Sequence, residues 1–399
     1  MPARIAKRKS APAQDSDLEL LMELMAISGK SGEEAEVARY VTDRLVEAGA
    51  KPNWIRHDQA HRATPIDGGT GNLVLKLPGN RRPRRILVSH LDTVPICVGS
   101  QPVRRGNRIR SADPKTGLGA DNRAGCAVTL LTALKLLREP RPHPPLTFLW
   151  TVQEEIGLHG ARQANLKLLG NPQLAFNWDG GSASKLTIGA TGGYRMEILV
   201  RGIASHAGGA PEQGVSAIAI ASLAIADLHQ QGWHGLIEKS GKVGTSNVGV
   251  VRGGAATNVV SDEVFVRAEA RSHDSRFRER IVRQIEKAFQ HAVKQVRNAA
   301  GKKGSVEFDG RLDYDSFCLD PKEPCVLAAK TAIESLGETA ELVIANGGLD
   351  ANWLSARGIP TVSLGCGQLN QHMVSEALDV RQFRRACKIA ESLALGEQA

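Results

Sequence analysis

Apolar positions recur along this chain at two different spacings, and the change of spacing divides it. Between Asp17 and Ala26, Leu18, Leu20, Leu21, Leu24 and Met25 keep helical intervals. Glu33 to Ala48 repeats the pattern with Val37, Tyr40, Val41, Leu45 and Val46, and Gly49 is its stop. Ser31-Gly32-Glu33-Glu34 offers a Ser N-cap with a carboxylate three residues on, a capping-box pattern. Short apolar stretches follow: Asn72–Leu77, which alternates, then Ile86-Leu87-Val88 ending at His90, Leu146–Val152 and Leu174–Trp178. Runs this short, rich in β-branched and aromatic residues, predict buried strands. Between them, residues 124–137 read as a helix, and a second helix is expected after Gly157–Ala161, reaching about Leu169.

Near residue 186 the pattern turns to period two, most clearly over Tyr194–Val200. Strands are predicted within 185–203, 246–251, 263–271 and 305–312, with helices over 214–228 and 274–298. Two helices among about four strands predict a compact α+β insertion, ferredoxin-like by pattern. From Pro324 the earlier rhythm returns: helix 326–336, strand 341–344, helix 351–357, strand 361–365 and a last helix, 380–395. The expected architecture is therefore α/β. A catalytic domain over 16–184 and 313–399, a mixed sheet flanked by helices, is interrupted by a second domain over 185–312 and preceded by a disordered basic tail, 1–15.

Composition narrows the function. A chain of 399 residues exceeds one ordinary core, and 42% hydrophobic with 23% charged residues is soluble globular usage. The net charge of +9 sits in clusters, Arg4–Lys9, Arg81–Arg85 and Arg104–Arg110, which read as the tail and solvated loops. Aromatics are only 4%, so bases have few stacking platforms and no nucleic-acid partner is expected. Six cysteines without a Cys-x-x-Cys pair predict buried reduced thiols in a cytoplasmic protein. No apolar stretch approaches the roughly 18 residues of a membrane span, and no apolar segment follows the tail to make a secretory signal.

Candidate chemistry gathers where strands end. His90 closes one apolar run, and Asp92, two residues on, is placed to accept the second imidazole N–H. Asp121 stands in a Gly-rich loop, Gly117–Gly125, that leads into a helix. Glu154 and Glu155 end another run; adjacent side chains there point different ways, so one can hold a metal while the other moves a proton. Asp179 closes a third run, and His372 lies in a loop after the 361–365 strand. Singly, each motif is an ordinary polar turn. Jointly, two His and three carboxylates suit two Zn²⁺ ions, with His90, Asp121, Glu155, Asp179 and His372 as ligands and Asp121 shared. Glu154 then remains beside the attacking water as general base.

The ordered set His90-Leu91-Asp92, Gly119–Gly125, Gln153–Gly157, Trp178-Asp179-Gly180, Ser205–Gly208 and His372 resembles the dinuclear-zinc metallopeptidase family of peptidase T. Relatives of that family include glutamate carboxypeptidases, succinyl-diaminopimelate desuccinylase and aminoacylases. The resemblance implies His90 with Asp179 at one zinc, Glu155 with His372 at the other, Asp92 orienting His90, and a cis peptide after Asp121. Co²⁺ or Mn²⁺ are alternatives for such a donor set. It further implies that the insertion is a lid that forms a homodimer. His206 then reaches the partner's active site to stabilise the oxyanion, and Asn258 and Arg271 bind polar groups of the substrate. The implied activity is amide hydrolysis in short peptides, as an aminopeptidase on di- and tripeptides. A carboxypeptidase or an N-acyl-amino-acid amidohydrolase is the alternative within the family.

A competing resemblance, to glutamyl-aminopeptidases, rests on Thr151–Ala161 and Asp121-Asn122-Arg123. There the second domain is inserted between the first His and the bridging Asp. Here only 31 residues separate His90 from Asp121, whereas 193 separate Asp179 from His372, so chain order selects the peptidase T type. Three departures leave the substrate open: Gln153 precedes the acidic pair, Asn122 stands where many relatives have an acid, and Leu349 where peptidase T has a small polar residue.

Overall fold

The computed structural model describes residues 13–396. Of the basic tail expected over 1–15, residues 1–12 lie outside that range. The first helix, Ala13–Ala26, already starts within the expected tail and buries Leu18, Leu21 and Leu24. The described residues form two compact units: one holds those up to Ile188 with Leu319–Val343 and those from Leu349; the other holds Gly189–Cys318 and Ile344–Gly348.

The first unit is built on a mixed sheet. Its strands lie in the order Ile55–His57, Leu73–Leu77, Leu146–Thr151, Arg85–His90, Leu174–Trp178, Thr361–Leu364 and Lys185–Ala190. The four strands from Leu146–Thr151 to Thr361–Leu364 run parallel; the outer ones are antiparallel. Alternate residues feed different cores. Leu87 packs with the helices Ala13–Ala26, Ala120–Arg138 and Val380–Leu395, while Ile86 and Val88 pack with Leu354 and Ile359 beyond the other face. Burial on both faces is why these strands read as unbroken apolar runs. It also brings His90, Glu154, Glu155 and Asp179 to the carboxyl edge of neighbouring parallel strands, where α/β sheets place ligands.

Two local expectations change. The helix predicted to run to Leu169 is broken into His159–Gln163 and Leu166–Leu169, with Ala164 extended and the Asn165 side chain capping the second piece. Arg104–Arg110, expected as a solvated loop, forms a hairpin of Pro102–Arg105 with Arg108–Ser111, because Ile109 is buried while the arginines face out. Its second strand pairs with Ala377–Asp379, which pairs with Gln368–Leu369.

The second unit is an antiparallel sheet ordered Gly235–Lys239, Lys242–Gly253, Glu263–Ser272, Gly192–Arg201, Ser305–Tyr314. Leaving aside the Gly235–Lys239 edge, this is the order of a β-α-β-β-α-β ferredoxin-like unit, with helices Ala217–Gln230 and Ser275–Gln295 sharing one core. Its bounds differ from the expected 185–312. Leu186 and Thr187 still pair with Thr361–Leu364 in the main sheet, and Phe317–Cys318 pairs with Ala190 and Gly189. Ile344–Gly348, expected in the catalytic domain, joins the second unit. Ala345 accepts the Thr191 N–H at 3.1 Å, and the Tyr314 ring covers Gly348 so closely that no Cβ fits there.

Candidate metal centre

His90 ends its strand nearly fully buried. Its Nδ1 faces the Asp92 carbonyl at 3.1 Å and carboxylate at 3.3 Å, so the proton sits on Nδ1 and Nε2 points the other way. Nε2 meets Asp121 Oδ1 at 3.2 Å, Glu154 Oε2 at 3.9 Å and Asp179 Oδ2 at 4.0 Å. Asp121 enters a helix whose first residues are not helical, and the Asp121–Asn122 peptide is cis. Asn122 secures this turn by donating to the Trp178 carbonyl and accepting from Gly125 N–H. The other Asp121 oxygen lies 3.4 Å from His372 Nε2, which is 2.9 Å from Glu155. Asp121 thus stands between two imidazoles.

Asp92 is fully buried and holds the acidic pair by its backbone. Its Oδ1 accepts the Glu154 N–H at 3.0 Å, and its Oδ2 accepts those of Glu155 at 3.1 Å and the Ser31 hydroxyl at 2.7 Å. The preceding residue, Gln153, is buried with a left-handed φ of 54°, and its N–H is caught by Glu34 Oε1 at 3.0 Å. Ser31 and Glu34 therefore do not make the expected capping box. The helix starts at Ala35 without a side-chain cap, because both residues turn toward this centre.

Acids outnumber cations here, and burial adds to the cost of charge. Burial raises Glu154 well above the carboxylate range, with Glu155 and Asp179 adding repulsion. Burial likewise pushes Asp179 up to about 8 and Glu155 to about 7. His372 is pushed up to about 10 by its bonds to Asp121 and Glu155. For Asp121, burial is outweighed by the two imidazoles, and the carboxyl is held low. One donor atom each of His90, Asp121 and Glu155 lies within a 4.8 Å group, as does one each of His90, Glu154 and Asp179. Buried carboxylates converging on an imidazole Nε2 whose ring is fixed from behind fit divalent cations.

Other residues of the centre escaped sequence reasoning. Gln368 Nε2 lies 3.0 Å from Asn122 Oδ1, 3.4 Å from Asp179 and 3.5 Å from Asp121. Asp350 is buried, accepts the Thr151 hydroxyl, and is raised to about 6 by burial. Glu376 accepts backbone N–H groups of the loop that carries Asp121. The only signal in the sequence was position: Asp350 follows a Gly-Gly pair, and Glu376 comes four residues after His372.

His206, Asn258 and Arg271 belong to the second unit. His206 and Asn258 are on adjoining segments: Ser205–His206 pairs with Val259–Val260, and Ala207 N–H donates to the Asn258 carbonyl. His206 is exposed, and its Nδ1 accepts from Gly208 N–H at 3.2 Å and Gly209 N–H at 2.9 Å. Arg271 lies on Glu263–Ser272, with Nε and one Nη each 3.0 Å from the Glu269 carboxylate. Among the described residues no helix is long and apolar enough to cross a membrane.

Known proteins resemble this chain over nearly its whole length. Residues 86–396 match the family described as Peptidase family M20/M25/M40. The YqjE protein of Bacillus subtilis (strain 168) is 31% identical over 379 residues, 94% of this chain and 96% of its own length. The crystal structure of a tripeptidase from Staphylococcus aureus superposes with a TM-score of 0.85 at 28% identity, covering 96% of this chain and 97% of that one. That of aminopeptidase PepT from Bacillus cereus ATCC 10987 gives 0.80 at 30% identity, covering 96% and 98%. The chain belongs to peptidase family M20/M25/M40 and is a hydrolase of the metallopeptidase class.

Proposed function

We propose that the protein is a dizinc aminopeptidase that releases residues from short peptides, di- and tripeptides, in the cytoplasm. The observation that carries this reading is Asp121, standing between His90 and His372 with Glu154 close by. His90, Asp121 and Asp179 would hold one cation, and Asp121, Glu155 and His372 the other. When bound, the pair supplies Lewis acidity toward the scissile carbonyl. Co²⁺ or Mn²⁺ suit the same His and carboxylate donors.

The chain's own groups do the proton work. The Glu154 carboxylate takes a proton from the attacking water as the new carbon–oxygen bond forms, and gives it to the amine nitrogen as the carbon–nitrogen bond breaks. Burial raises its proton affinity above that of an ordinary carboxylate, the direction a proton acceptor needs. Asp92 keeps the His90 ring oriented. His206, delivered by a second copy in a homodimer, donates to the oxyanion. In support, its Nδ1 already accepts two backbone N–H groups, so the proton sits on Nε2. Asn258 binds a polar group of the substrate. Arg271 takes the substrate carboxylate on its outer edge, since Glu269 engages the Nε side.

The aminopeptidase direction is supported by the full-length likeness to the tripeptidase and to PepT. A panel of free, N-acylated and C-amidated di- and tripeptides on zinc-loaded protein tests it. Cleavage of free peptides, weaker cleavage of amidated ones, which lack the carboxylate for Arg271, and none of the N-acylated ones is the expected result. Preference for N-acylated substrates would move the assignment to the amidohydrolase or carboxypeptidase side.

A further inference from the structure

Glu376 is 1% exposed, yet its carboxylate is well supplied with donors. Oε2 accepts the N–H groups of Leu118 at 2.8 Å and Gly119 at 2.7 Å, and the Cys97 thiol at 3.3 Å. Oε1 accepts the N–H of Asp121 itself at 2.9 Å. Three of these four donors are backbone groups of the loop that carries Asp121. Close approach depends on Gly117, where a Cβ would sit 2.8 Å from Cys97 Sγ and 3.1 Å from Glu376 Oε2.

The same residue closes the hairpin that carries His372. Gln368–Leu369 pairs with Ala377–Asp379, and His372 lies in the connection with a left-handed φ of 61°. Its side chain is 52% exposed, and its ring meets Glu155 and Asp121. Ladder pairing sets the hairpin's base but not the position of its connecting residues relative to Asp121. Glu376 supplies that link, being covalently part of one segment and hydrogen-bonded to the other.

We propose that Glu376 is a positioning residue that locks the His372 hairpin to the Asp121 loop and so sets the spacing of these two side chains for the second cation. The inference rests on the metal reading above. A carboxylate suits this post because all its partners are donors; a Gln would turn an NH₂ toward one set of them. A purely structural role would lower the stability of the metal-free chain without selecting one metal site.

Titration of the metal-free full-length protein with Co²⁺, followed by visible absorption, separates the two. The unmodified chain, E376Q and H372A are compared, with the melting temperature of each metal-free protein measured alongside. E376Q is expected to bind the second Co²⁺ about 10- to 100-fold more weakly, the usual cost of losing a partner behind the ligands. Its absorption band shifts toward that of H372A, while the first binding step is retained. E376D, which keeps the charge and both oxygens, falls between, and it carries the same comparison if E376Q does not fold. A variant that only melts earlier, with both Co²⁺ steps and the band unchanged, overturns the positioning role and leaves the metal reading intact. An unmodified chain that binds fewer than two Co²⁺ overturns both.

Discussion

Asp92 grips Glu154 by the backbone: its Oδ1 accepts the Glu154 N–H at 3.0 Å while its carboxylate also lies 3.3 Å from His90 Nδ1. One buried side chain thus orients an imidazole and anchors the turn that presents both acids.

Asp92→Asn tests that double duty. The new NH₂ replaces one acceptor oxygen and must face a donor, either the Glu154 N–H or the pair formed by Ser31 and the Glu155 N–H. Zinc affinity and kcat/KM should both fall by about 10- to 100-fold. Unchanged zinc retention on dialysis would remove Asp92 from the role.

For Glu154 the expected signature is different. Glu154→Gln keeps the shape and removes the proton acceptor. Turnover should drop at least ~100-fold while elemental analysis still finds two metal equivalents. Retained activity, or loss of metal in parallel, contradicts the general-base role.

His206→Ala should lower kcat by about 100- to 1,000-fold, the range for removing one oxyanion donor, without changing metal content. Mixing inactive H206A with inactive E154Q then discriminates between routes. If a second copy delivers His206, hybrid dimers recover activity, because an H206A site with its own Glu154 receives His206 from the E154Q copy. No recovery after verified subunit exchange argues for action within one chain.

Glu34 yields a pH prediction. Burial, with the charge of Asp92 adding to it, raises its carboxyl from 4.5 to about 7. The folded value lies above the unfolded one, so folding favours the protonated form. That contribution is fully present below the unfolded value and is lost as pH rises through about 7. Glu34→Gln removes the titration while keeping an oxygen for Gly32 and Gln153 N–H groups. Its melting temperature relative to the parent should therefore rise between roughly pH 5 and pH 8 in metal-free protein. A constant difference over that range contradicts the prediction.

Much of the fold was legible because burial on both faces of a parallel sheet leaves unbroken apolar runs, and the residue after such a run lies at the sheet's carboxyl edge. His90, Glu154, Glu155 and Asp179 could be placed at strand ends on that basis, and their joint occurrence made them candidates. The second unit's α+β, ferredoxin-like pattern was likewise legible in its period-two stretches and two helices, though the Gly235–Lys239 edge strand was not. Ser31 and Glu34 show where local reading fails: their spacing is that of a cap, and only Asp92 and Gln153, far along the chain, draw them elsewhere. Arg104–Arg110 looked like solvated charge because its one buried residue, Ile109, is too little to register as a period.

The sequence by itself determined the strand ends, the order of the motifs and the place of the long insertion, since these depend on local spacing and chain order. Tertiary structure alone decided that Gln368, Asp350 and Glu376 surround the centre, and that Asp92 joins His90 to the acidic pair. Those relationships are hydrogen bonds between segments far apart in the chain. No pattern along one segment encodes which distant donor a buried oxygen will meet; only packing of the sheet, hairpin and loop brings the partners within reach.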